Sequence, residues 1–153
     1  MKSISLHLFA IIAVLLTAYS CASTSKASED KSSAAKEFEK HPEKGVVYVY
    51  RPGRAVGAAA ASQIKINGID AGGTGPGTFF RWELTPGTYA FSAFTTESSA
   101  VLEVDVEANE HYFIRQDERL GLASGRVTMV LQDEATGKKG VNSCKLLVSA
   151  YRQ

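Results

Sequence analysis

From Gly45 onward the chain alternates apolar and polar residues with a period of two, and turn residues separate the runs. That period places successive side chains on opposite faces of a strand. "VVYVYR" (46–51) reads as a strand stopped by Pro52-Gly53. "QIKIN" (63–67) sets Ile64 and Ile66 on one face, and Asn67-Gly68 is a strong signal for a two-residue hairpin turn. "TFFRWEL" (78–84) directs Phe80, Trp82 and Leu84 inward and Phe79, Arg81 and Glu83 outward. After Thr85-Pro86-Gly87, "TYAFSAF" (88–94) returns with Tyr89, Phe91 and Ala93 inward. "VLEVDVE" (101–107) alternates Leu102, Val104 and Val106 against acids. "EHYFIRQ" (110–116), "RVTMVLQ" (126–132, with Val127, Met129 and Leu131 inward) and "CKLLV" (144–148) complete the set. The predicted core contains Phe80, Trp82, Phe91, Leu102, Val104, Val106 and Met129.

These runs predict an all-β fold, an antiparallel β-sandwich of about seven or eight strands over residues 45–153. Only Asp133 to Asn142 has room for a short turn of helix. The preceding segment, 21–44, is rich in Ser, Ala, Lys and Glu, and Phe38 is its one large apolar side chain. It reads as a flexible tether with an r.m.s. span of roughly 25 Å, apart from a short helix at Ser33 to Lys40 capped by Ser32 or Ser33.

Residues 1–20 have the three parts of a secretory signal peptide. Lys2 supplies the positive end, Leu8 to Leu16 the apolar run, and Ala18-Tyr19-Ser20 a small-x-small cleavage site. Nine apolar residues reach roughly 13 Å as a helix, under half of a bilayer core. "TAYSC" (17–21) resembles the lipobox of bacterial lipoproteins, with Ser20 and Cys21 matching, Ala18 standing where the family usually has Leu and Tyr19 where it usually has a small residue. The resemblance implies acylation of Cys21 (palmitate among the acyl groups) and a membrane as partner. The absence of Asp at position 22 implies an outer membrane. Two other fates stay open for Cys21, a free thiol after ordinary signal cleavage and a disulfide with Cys144.

Charge and composition narrow the function without naming it. Lys and Arg total 17 against 16 Asp and Glu, so no basic stripe points to nucleic acid. Catalytic raw material is sparse. His111 is the one histidine after the tether, and with Cys144 it fits neither a metal-ligand spacing nor a nucleophile–base arrangement. No cofactor and no metal is expected. "GGTGPG" (72–77) lacks the Lys-Ser/Thr and the helix of a phosphate loop and reads as an inter-strand loop, and "TGKKG" (136–140) reads as a basic turn.

Arg51, Arg81 and Arg115 are the candidate ligand-binding residues, because an arginine at a strand end clamps carboxylates bidentately. The competing reading is charge pairing across a solvated sheet face. Tyr48, Tyr50, Phe79 and Tyr112 would be a stacking strip for glycans if exposed, although core is the better expectation for most. A hydrolase would need an acid pair such as Asp117 and Glu83 about 5–9.5 Å apart.

"VVYVYRPG", "KINGIDAGG", "TFFRWELTPGTYAF" and "EHYFIR", in that order, resemble a family of bacterial lipoprotein domains of unknown function, with a Tyr-x-Tyr-Arg-Pro strand and a later Pro-Gly hairpin. The hairpin is also similar to transthyretin-like and PEGA-like sandwich modules. The resemblance implies a secreted or lipid-anchored sandwich and no assigned activity. The expected function is therefore a non-enzymatic envelope lipoprotein acting as an interaction or structural module. A carbohydrate- or peptidoglycan-binding module is the alternative, and envelope proteins or glycans are the candidate partners.

Overall fold

The computed structural model describes residues 24–53, 61–120 and 125–152. The expected signal peptide and Cys21 lie outside the described residues. Among the described residues, nine strands and two short helices follow one another as α1 (Glu29–Ala35), β1 (Gly45–Arg51), β2 (Ser62–Ile66), β3 (Ile69–Thr74), β4 (Thr78–Leu84), β5 (Gly87–Phe94), β6 (Ser99–Val106), β7 (His111–Leu120), β8 (Gly125–Gln132), α2 (Glu134–Asn142) and β9 (Lys145–Leu146). One sheet has the order β8-β7-β1-β4-β9 and the other β3-β2-β5-β6. The predicted β-sandwich is the fold. Most pairings are antiparallel, while β1–β7 and β4–β9 run parallel.

Local chemistry explains the hairpins. Asn67 and Gly68 both take positive φ (49° and 79°), as a primed turn requires, and the Ala90 amide donates to Asn67 Oδ1 at 2.8 Å. Between the sheets, Val47, Val49, Ile64, Phe80, Trp82, Phe91, Val104, Val106 and Met129 form the main core. Two expected core residues differ. Leu102 is only partly buried and Leu131 is 47% exposed. They lie on β6 and β8, the edge strands of their sheets, where neighbours cover one side only.

A second core lies on the far side of the five-stranded sheet. Val46, Tyr48, Tyr50, Phe79, Phe113 and Cys144 pack there under Ala35 of α1 and Val141 of α2. Phe79, expected outward, does point away from the sandwich interior, yet it is fully buried. The helices cover that face, so every residue of β1 is buried. A strand buried along its whole length, apolar up to Arg51, is the mark of a sheet covered on both faces.

Helix α2 sits unusually close to the sheet. A Cβ on Gly137 would lie 2.2 Å from the Phe113 ring, and one on Gly140 would lie 2.2 Å from the ring of Tyr50. Two glycines inside a helix cost roughly 1 kcal/mol each relative to alanine, and here the close approach over two aromatic rings offsets that cost. Asp133 caps the helix by accepting from the Thr136 amide at 2.9 Å.

The expected tether is corrected by the structure. From Thr24 to Lys44 the chain lies on the sandwich, and its helix runs Glu29–Ala35, upstream of the predicted Ser33 to Lys40. Ser32, expected as a cap, is buried inside the helix, where its Oγ accepts from the Leu146 amide at 3.3 Å. The single large apolar residue of the segment supplies the reason for docking. Phe38 leaves the helix with φ 55° and sets its ring 5.5 Å from Tyr48 and 5.9 Å from Phe113. Tyr48 in turn donates to the Ala35 carbonyl at 3.1 Å.

Candidate functional site

Strand parity places the three candidate arginines on two different faces. Arg51 shares the inward parity of Val47 and Val49, so its side chain enters the space between the sheets. Gln116 and Glu118 share the inward parity of Ile114 on β7. At this end of the sandwich the apolar filling therefore gives way to a polar cluster of Arg51, Ser62, Thr74, Gln116 and Glu118.

Arg51 Nη2 lies 2.7 Å from Glu118 Oε2, and the two side chains are only 4% and 2% exposed. Arg51 Nη1 also donates to the Thr74 carbonyl at 3.2 Å. Thr74 Oγ1 donates to Gln116 Oε1 at 2.7 Å, and among the described residues Gln116 Nε2 and Glu118 Oε1 have no hydrogen-bond partner. Burial pushes the Glu118 carboxyl above the ordinary value of 4.5, against the pull of the Arg51 charge and of Ser62. Burial also lowers the Arg51 guanidinium from its usual range, against the Glu118 charge. The pair is thus a desolvated charge couple that fixes the ends of β1 and β7 relative to β3.

The other two arginines belong to the opposite face of the same sheet. Arg81 pairs with Glu83 at 2.8 Å and approaches the Tyr48 hydroxyl at 3.4 Å. Arg115 embraces Asp117, with Nη2 2.9 Å from Oδ1 and Nε 2.8 Å from Oδ2. The structure does not bring Arg51, Arg81 and Arg115 together. Each has a carboxylate within ion-pair distance, but not as pairing across a solvated face: Arg81 and Arg115 meet acids two residues along their own strands, and the Arg51 pair is buried.

Register also separates the groups considered for chemistry. Glu83 and His111 both sit opposite Val46, one on each neighbouring strand. Asp117 lies six residues further along β7, roughly 20 Å away at about 3.3 Å per residue. Glu83 and Asp117 are therefore too far apart for glycoside chemistry. His111 lies against the Tyr48 ring, 3.5 Å from Glu134 Oε1 and 3.4 Å from the Glu39 carbonyl. Cys144 is at the other end of β1, where its thiol contacts the Arg51 carbonyl at 3.5 Å.

The glycan-stacking strip is also corrected. Tyr48, Tyr50 and Phe79 are at most 1% exposed beneath the helices, and Tyr112 is half-buried against the main core. In "GGTGPG", Gly72 to Thr74 belong to strand β3, and Gly75 begins a turn closed by Thr78, whose Oγ1 donates to the Gly75 carbonyl at 2.7 Å. That arrangement is a hairpin end rather than a phosphate cradle.

The polar members missed from sequence were Ser62, Thr74 and Gln116; the charged run "RQDERLG" (115–121) already held Glu118 as a polar candidate, but not its partner. The signal for Gln116 and Glu118 was their shared parity with Ile114. A shallow groove of about 370 Å³ also runs between β3 and the C-terminal stretch, lined by Thr24, Gln63, Asp70, Gly73, Val148 and Ser149.

Cys144 is 1% exposed in the second core beside Leu146, and burial raises its thiol above the usual value. A thiol in such a setting is inert. Native protein should react little with a thiol reagent, whereas unfolding should release one reactive group from Cys144. Rapid labelling of the native chain at Cys144 would refute its placement.

A β-sandwich with helices over one outer face, and with Arg51, Arg81 and Arg115 each paired to a carboxylate of its own, defines the class of domain. Within that class, the family model described as protein of unknown function (DUF2846) matches residues 41–129, more than half of the chain. The chain belongs to this family. An uncharacterized protein of Haemophilus influenzae is 31% identical over 141 residues, covering 91% of this chain and 83% of the relative.

Proposed function

We propose that this protein is a non-enzymatic lipoprotein of the bacterial cell envelope, anchored by acyl chains on Cys21 and facing the periplasm from the outer membrane. Its sandwich serves as an interaction or structural module, in keeping with the likeness of its Pro86-Gly87 hairpin to PEGA-like modules. The observation that carries the non-enzymatic part is the internal pairing of Arg51, Arg81 and Arg115 with Glu118, Glu83 and Asp117. Side chains so engaged build the fold and have no charge left over for a substrate. The anchor is supported by the apolar run ending in Ser20-Cys21. The deep burial of Cys144 also supports it, since that thiol is badly placed for a bridge.

Growing cells with a fatty-acid analogue should label the wild-type chain and leave Cys21→Ala unlabelled. The labelled chain should fractionate with membranes. An unlabelled wild-type chain in the soluble fraction would overturn the anchor. Non-reducing mass analysis that found a Cys21–Cys144 bridge would do so equally. Crosslinking in intact cells then identifies the partner of the module, and turnover of an envelope substrate by the purified domain would overturn the non-enzymatic reading.

A further inference from the structure

We infer that the N-terminal segment acts as a short mount, holding the β3/β9 edge of the sandwich against the phospholipid headgroups. This inference rests on the lipid anchor proposed above. A free coil over 22–44 would let the domain float roughly 25 Å from the bilayer. The chain is instead fastened to the domain from Thr24 onward. The Gly73 amide donates to Thr24 Oγ1 at 2.7 Å, the Val148 amide to the Ser25 carbonyl at 2.8 Å, and the Ala27 amide to the Leu146 carbonyl at 2.9 Å. Further along, Lys145 pairs with Glu29 at 3.0 Å, and Ser32 and Ala35 are buried. Consecutive attachments of this kind must all open before the segment can extend.

Gly72 lies at the bulge where β3 shifts register against Ile64 and Lys65, and the glycines of β3 fit this role as well. At Gly72, φ is 114°, and a Cβ would come within 3.0 Å of Thr24 Oγ1. Bare backbone at this point lets Thr24 lie directly on the strand.

Covalent geometry then sets the distance. Three Cα–Cα steps separate Cys21 from Thr24, at most about 11 Å when fully extended. The surface around Thr24 includes Ser25, Lys26 and the stretch Val148 to Ala150, with Gln63, Asp70 and Gly73 beside them. Val148 is 46% exposed, and Lys26 and Arg152 are exposed cations suited to a headgroup layer. Asp70 is the one acid lining the adjoining groove, and Gln63 and the Gly72 amide engage its carboxylate. The opposite edge, formed by β6 and β8, lies three or four strand spacings away, roughly 14–19 Å. It is thereby presented to the periplasm, with Val101 and Val130 63% and 51% exposed.

The test places a fluorophore on Ala150→Cys or on Thr128→Cys in the full acylated chain. Both positions are exposed, one on each edge. The protein is reconstituted in phosphatidylcholine–phosphatidylglycerol vesicles containing lipids with nitroxide headgroups. Quenching at position 150 should exceed that at 128 several-fold. Inserting a 20-residue Gly-Ser linker between Cys21 and Thr24 should abolish the difference while membrane partition persists. Equal quenching at the two sites without the linker would overturn the inference, as would a difference that survives the linker. A chain that is not acylated and does not partition would instead overturn the anchor, and the inference would fall with it.

Discussion

Arg51→Met should cost about 3–5 kcal/mol of stability, because it leaves the Glu118 carboxylate buried and uncompensated. The wild-type pair is 2.7 Å apart with both side chains almost wholly enclosed. Replacing both partners, as in Arg51→Met with Glu118→Leu, should restore most of the loss, since an apolar filling carries no desolvation penalty. Urea unfolding of the two variants checks both expectations. The pH dependence has a definite sign. Burial already raises Glu118 above 4.5 in the fold, so its protonated form is favoured there, and this contribution fades as pH rises through the folded-state value. Removing the Arg51 charge raises that value further. The deficit of Arg51→Met should therefore shrink as pH falls from neutrality towards 4.5, opposite to ordinary acid denaturation. A deficit that is constant or grows on acidification would place the cost in lost packing instead.

Trp82→Ala should also cost about 3–5 kcal/mol, the range for emptying a buried aromatic site. Its ring is 7% exposed, stacked 5.2 Å from Phe80 and 6.3 Å from Phe91. The indole N–H donates to Ser149 Oγ at 2.9 Å, and that hydroxyl donates to the Ala71 carbonyl at 3.1 Å and accepts from the Tyr151 amide at 3.0 Å. The substitution therefore opens a cavity and loosens the C-terminal stretch at once. Hydrogen exchange should accelerate first between Leu147 and Tyr151, with a lowered denaturation midpoint. An unmoved midpoint would refute the placement of Trp82.

Alternation made the sandwich legible because each strand of the four-stranded sheet has one covered and one open face. It misled at Phe79 because the five-stranded sheet is covered twice. The chain did carry that signal in "VVYVYR", whose Tyr48 and Tyr50 left no polar face to expose. The docking of 24–44 was illegible for a different reason. It depends on Phe38, Ala35 and backbone hydrogen bonds, which composition does not register. The arginines were visible as strand-end residues. Which carboxylate each would meet was not, since Arg51 and Glu118 are 67 residues apart and meet only through sheet register.

The central position of β1 has a consequence for the order of assembly. It is the first strand to be synthesised, yet Val47 pairs with Trp82 and with Tyr112, 35 and 65 residues later. Closing such long loops costs entropy before any contact rewards it, and non-local β topologies fold on the order of milliseconds to seconds. The hairpins β2–β3, β5–β6 and β7–β8 can close locally, but β1 can pair on one side only once β4 exists and stays open on its other side until β7 exists. Most of the chain therefore emerges from the ribosome before a stable domain can form.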